Sequence, residues 1–243
     1  MDDVFKLGPF LISYKLIIIV LSSIFGYFAL VIALKKIEID RRLILDILLS
    51  SILILILAWK FGGILFNPKQ ILSNPLLILF ITGNTATLFL GFILSTGYIF
   101  LKLYKNGVPI LLFLDLISFS SLPFLLIYNL FTPMYGYPTR LPWGISLGSD
   151  NVLYHPVNFY FAIFIILISV YILREFKTIG NGILFMKASL LLGISGLVLT
   201  FISPQSNMIM GISPKQWGFA FLMTVGLVGL KKENSTSPKA KID

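Results

Sequence analysis

Polar and apolar positions along this chain are segregated into blocks rather than alternated. Seven apolar runs stand out, at 16–34, 43–59, 76–101, 108–131, 157–173, 183–203 and 217–230. A helix that crosses bilayer hydrocarbon needs about 20 predominantly apolar residues, with a range of about 17–25. Six runs meet that length and the seventh is shorter. The blocks predict an all-α polytopic membrane bundle of seven transmembrane helices, a single membrane domain over 1–230. The basic segment 231–243 that follows reads as a solvated, disordered tail.

Composition narrows the class further. The chain is 57% hydrophobic and 12% charged, with no cysteine and a mean hydropathy of +0.96. Soluble domains carry about twice that charge, so an ordinary cytosolic protein is excluded, as are a disulfide scaffold and a disordered chain. The first run is read as a retained span: it is longer than a signal-peptide core, lacks a small-residue cleavage motif, and follows Asp2 and Asp3. No internal repeat supports a transporter built from inverted halves.

Charge sets the expected orientation. Twelve Lys and Arg fall in the connections 35–42, 102–107 and 174–182 and in the tail, against six on the opposite side, with Lys187 inside a run. The positive-inside bias then places the N-terminus outside and the C-terminus in the cytoplasm. Removing the seventh span would change the split to eight against ten, so the charge pattern favours seven. The net charge of +9 is read as this topology signal plus attraction to anionic lipid; no stripe of basic and aromatic residues suggests nucleic acid.

Small residues mark where helices meet in lipid. Ser22, Gly26, Ala29 and Ala33 share one face, as do Gly83, Thr87, Gly91 and Ser95. The segment holding Asn84 and Thr87 is unusually polar and is expected in the outer half of the third span, where a lipid-binding cavity would open. Asp46, Asp115 and Lys187 lie within runs, roughly 4, 10 and 6 Å below the inner boundary at about 1.5 Å per residue. Asp46 and Lys187 are close enough to snorkel. Asp115 is deeper and is expected to act as a structural lock, either by hydrogen-bonding neighbouring backbone or hydroxyls or by pairing with Lys187. A retinal-type Schiff base is excluded, because the last run holds no charge.

The connection 132–156 concentrates the remaining chemistry: Arg140, the single His155, Trp143, Tyr154 and several prolines and glycines. A lone histidine without Cys or carboxylate neighbours makes no metal site, and no cofactor is implied. One reading is an aromatic interfacial loop. The other is a phosphate contact, with the Arg140 fork on phosphate oxygens and His155 moving a proton.

Here the chain resembles a known family. The stretch 136–145 (GYPTRLPWGI) followed by 154–160 (YHPVNFY) is similar to the prolipoprotein diacylglyceryl transferase family, in which a Pro-Thr-x-Leu-Pro-Trp segment precedes a His-Pro-x-x-x-Tyr. The segments 7–16 (LGPFLISYKL), 113–118 (FLDLIS) and 211–217 (GISPKQW) resemble others of that family in the same order. The resemblance implies seven spans in a bacterial plasma membrane. It also implies transfer of the diacylglyceryl group of phosphatidylglycerol to the cysteine of a lipoprotein precursor. His155 and Arg140 are the candidate catalytic residues, as proton carrier and phosphate fork, and Tyr154, Tyr160, Trp143, Thr87 and Asn84 are the candidate lipid contacts.

The departures fall on the charged motifs. Where the family's Arg-Asn-Asn-Glu signature would align, this chain has Leu125, Tyr128, Phe131 and Pro133; a slip of one brings Asn129 to the first Asn. Thr87 is nearest to the family's His-Gly-Gly, Phe161 replaces a Glu, and 196–211 contains neither Arg nor Glu. Loss of one cationic contact to a transition state costs about 3–4 kcal/mol. The expectation is therefore a diverged member that binds lipid with its transfer activity reduced or lost. Two alternatives stand beside it: an active lipid-headgroup transferase rebuilt on Arg140 and His155, and a non-enzymatic membrane assembly or transport subunit.

Overall fold

Each apolar run holds a helix, and at several of them a local side-chain cap, rather than fading hydropathy, sets the start. The computed structural model describes residues 4–7, 10–66, 83–148, 152–205 and 207–236. A short antiparallel pair, β1 (Val4–Leu7) and β2 (Phe10–Ser13), leads into α1 (Tyr14–Leu34), whose first turn is capped by the Ser13 hydroxyl accepting from the Leu16 amide. Then come α2 (Arg41–Phe61), the single turn α3 (Gly63–Phe66), α4 (Thr85–Lys105), α5 (Ile110–Phe131), three strands, α6 (Val157–Arg174), α7 (Ile183–Thr200) and α8 (Pro214–Thr236). The six helices α1, α2 and α4 to α7 are long and apolar enough to cross a membrane, as in a multi-pass helical membrane protein. Their outward faces carry large exposed apolar side chains such as Phe28, Leu53, Phe89 and Leu167, a surface that suits hydrocarbon and not water.

Several expectations shift. The third helix begins at Thr85, well after the predicted 76, because the Asn84 side chain accepts from the Thr87 amide while the Thr87 hydroxyl accepts from the Asn84 amide. This reciprocal box ends the chain's approach and starts the helix; 76–82 lie outside the described residues. The helix α8 starts at Pro214 through the same device, with Ser213 and Gln216 exchanging hydrogen bonds and Pro at the first helical position. It continues to Thr236, so the start of the segment expected to be disordered is helical; 237–243 lie outside the described residues. The connection 132–156 is not purely irregular. Its strands β3 (Tyr135–Thr139), β4 (Ile145–Ser146) and β5 (Leu153–Pro156) form an antiparallel sheet in the order β3-β5-β4, with a bulge between Tyr135 and Pro138.

The chain divides into two compact units, residues 37–110 and residues 1–36 with 111–243. In the first, α2 and α4 pack antiparallel on small residues. The Ser95 hydroxyl donates to the Ser51 carbonyl at 2.8 Å, and Gly91 lies against the Leu55 carbonyl and the Ala58 methyl.

The second unit has its core between α5, α6 and α7, where Leu122, Ile165, Ile172, Leu184 and Ala188 are buried together. Gly26 of α1 sits against the Ser120 carbonyl and Phe124 of α5. The helices α7 and α8 run antiparallel at close range: Gly196 faces Phe219, Gly193 faces Met223, and Gly226 faces Met186 and Leu190. A pairing that holds register over three turns needs a hydrogen where any other residue has Cβ.

Candidate functional site

Asp115 occupies the second turn of α5 and is fully buried. Its carboxylate accepts three backbone amides: Gly180 at 2.8 Å and Gly182 at 2.9 Å on Oδ2, and Phe185 at 2.9 Å on Oδ1. It thus caps the N-terminus of α7 from a different helix, where orphan amides and the positive end of the helix dipole favour an anion. Gly180 (φ 109°) and Gly182 (φ 80°) adopt backbone conformations that side chains disfavour, which aims both amides at the carboxylate. Of the two expected forms of the lock, backbone hydrogen bonding is present and the Lys187 pair is not. Lys187 instead donates to Glu175 Oε2 at 3.0 Å and lies over the Tyr171 ring. The carboxylate already has three donors, and Glu175 lies nearer to Lys187 along the chain. Asp46 is exposed on α2.

The three-stranded sheet caps the opposite end of this unit, where α5 ends and α6 begins. The sheet is pinned there by the Tyr137 amide donating to the Ile202 carbonyl and the Val157 amide donating to the Met134 carbonyl, both at 2.9 Å. Gly136 passes so near the Ile202 carbonyl that a Cβ would collide with it. Three of the expected site residues meet on this sheet. Trp143 donates its indole N–H to Tyr160 Oη at 2.9 Å, and His155 Nδ1 lies 3.2 Å from the same hydroxyl. An indole only donates, which leaves the phenol proton for His155 Nδ1 and favours the tautomer with hydrogen on Nε2. Tyr154 is half-buried in β5 opposite Pro138 and Ile145. Arg140 is exposed and makes no ion pair with a described residue. Asn84 and Thr87 are spent on capping each other, with Thr87 buried and Asn84 exposed.

A cavity of about 520 Å³ opens beside the sheet, between α5, α6, α7 and α8. Its walls are Val157, Phe161, Leu199, Phe219 and Leu222, and its polar positions are Asn129, Thr200, Ser203, Gln205 and Lys215. Gly196 lets the Phe219 ring lie flat against α7, and Phe161 meets that ring edge-on at 5.9 Å. The Gln205 amide donates to the Thr200 and Ser203 carbonyls at 2.8 and 3.0 Å, which shapes the rim. Asn158, buried at the same end, donates to the Asn129 carbonyl at 3.1 Å.

Neither His155 nor Arg140 lines this cavity; Lys215 is the ionisable side chain among its lining residues. No family model matches the chain, and no curated protein does.

Sequence reasoning passed over Gln205 and Lys215, and treated Asn129 only as an alignment alternative. Nothing in local pattern marks them: they converge because four helix ends do. Among the described residues no group of three His, Cys, Asp or Glu is placed to hold a metal.

Proposed function

We propose that this protein is a diverged prolipoprotein diacylglyceryl transferase-like membrane protein that binds phospholipid, phosphatidylglycerol being expected from the resemblance, with its transfer activity reduced or lost. The cavity carries this reading. Its size falls in the range of ligand sites, about 300–1,000 Å³, with apolar walls and a few convergent polar groups. Acyl chains suit Phe161, Leu199 and Leu222; a headgroup suits Asn129, Gln205 and Lys215. Thiol transfer needs a base beside the nucleophile and donors at the leaving phosphate, and one lysine at the rim supplies little of either.

The test is turnover, with purified protein, phosphatidylglycerol and a peptide bearing a lipobox cysteine. Glycerol phosphate release and peptide mass are the readouts. The expected result is no product while phosphatidylglycerol still co-purifies. Product that disappears with Arg140→Lys and His155→Ala would overturn this and favour the rebuilt transferase, to which the His155–Tyr160 contact lends some support. Absence of both product and bound lipid would favour the assembly or transport subunit.

The same reading takes seven spans in a bacterial plasma membrane, N-terminus outside. In support, α8 runs antiparallel beside α7 from Phe219 to beyond Gly226, so an α7 that crosses carries α8 to the same depth. The chain has no cysteine, which makes single-cysteine labelling clean. In intact cells an impermeant maleimide should label Ser146→Cys and Asn207→Cys but not Lys177→Cys or Asn234→Cys. Labelling at Asn234→Cys would reduce the count to six.

A further inference from the structure

A second groove, of about 500 Å³, runs lengthwise between α6 and α7 in the same unit, from Phe164 and Val198 to Tyr171 and Lys187. Phe164, Ile168 and Tyr171 form one wall at helical spacing; Leu190, Ile194 and Val198 form the other, and Leu230 of α8 closes the end. Lys187 is the charged lining residue, held by Glu175 at 3.0 Å with its side chain 22% exposed. An ammonium has three donors, so the contacts with Glu175 and Tyr171 leave one. Arg174 lies one turn beyond Tyr171, and Lys231 follows Leu230; both are exposed. Three cations against Glu175 make this end net positive.

We propose that this groove is a binding site for one anionic phospholipid, with an acyl chain between α6 and α7 and the phosphate on Lys187, Arg174 and Lys231. A partner helix is a poor occupant. Helices approach closely in lipid through small residues, and Ser195 is the one small side chain lining the groove. A flexible chain fills a groove between large aliphatic side chains without that requirement. Glu175 holds Lys187 at the mouth and discriminates against headgroups bearing excess negative charge near it. Placement in the inner leaflet rests on the orientation proposed above, but binding does not.

The experiment is native mass spectrometry of the full chain released from nanodiscs of phosphatidylserine and phosphatidylcholine. Retention of one phosphatidylserine is expected, weakened about five-fold for each cation removed by Lys187→Gln or Arg174→Gln. Ile194→Trp fills the groove and should abolish retention with every charge still present, which guards against a misfolded Lys187 variant. Lys215→Gln, at the other cavity, should leave this lipid in place whatever becomes of the diacylglyceryl reading. Equal retention of phosphatidylcholine that Ile194→Trp displaces, or indifference to both Arg174→Gln and Ile194→Trp, would overturn the site. A dimer that dissociates on Ile194→Trp would put a second copy in the groove and overturn it too.

Discussion

Asp115→Ala should destabilise the protein by about 3–9 kcal/mol, since each amide left without an acceptor costs about 1–3 kcal/mol and Asp115 serves three. The cost is concentrated because Asp115 is buried and its three amides lie in the turn that leads into α7 and in the first turn of that helix. Asp115→Asn should cost less: a carbonyl oxygen can still serve Gly180 and Gly182, but the amide nitrogen then faces the Phe185 N–H. Lys187→Gln is the contrast. Its pair with Glu175 is partly exposed, and such pairs contribute about 0–1 kcal/mol. The order Ala, then Asn, then the lysine variant is read from thermal midpoints in micelles. Hydrogen exchange at 180, 182 and 185 should accelerate in Asp115→Ala and stay slow in Lys187→Gln. Equal loss in the aspartate and lysine variants would show that the lock is not the backbone cap.

Gly226→Leu is expected to be the second severe change. A Cβ at 226 meets the Met186 carbonyl and the Leu190 amide, which are backbone and cannot turn aside. The helices α7 and α8 must then separate, and contacts at Gly193–Met223 and Gly196–Phe219 loosen with them. Overpacking of this kind costs about 1–3 kcal/mol, and here it also opens the wall of the larger cavity through Phe219. Both a lower thermal midpoint and weaker phospholipid retention should follow. Gly97→Ala is the matched control: nothing lies within 4 Å of a Cβ there, and α4 is helical at that point. That change should stabilise by about 0.5–1 kcal/mol. Loss at Gly97→Ala comparable to loss at Gly226→Leu would mean that flexibility, not close approach, is what these glycines supply.

The helical membrane architecture was legible in the sequence because hydropathy belongs to each residue and sums along a run. Six of the seven runs reappear as helices able to cross a bilayer. Their starts were less legible, although the signals were present. Asn84 with Thr87 and Ser213 with Gln216 are capping pairs at the spacing a first turn requires, and weighting them would have moved the third boundary and put the seventh start at Pro214. The same holds for His155 and Tyr160, which lie five positions apart across a strand-to-helix junction and meet in the structure at 3.2 Å.

What the tertiary structure alone decided lies at long sequence separation. Asp115 was recognisable as costly, but its partners are 65 to 70 residues away, and nothing local distinguishes the amides of Gly180, Gly182 and Phe185 from a lysine as its answer. The cavity joins the ends of four helices, so Gln205 and Lys215 became site residues only when those ends came together. Arg140, the residue that charge chemistry favoured, stayed outside it. A sequence states which segments leave water and where a helix can start, because those depend on neighbours within a turn. Which buried groups satisfy one another depends on helix pairing, and in lipid that pairing follows from close backbone approach at small residues; their spacing marks a contact face in the sequence, but not the helix that covers it.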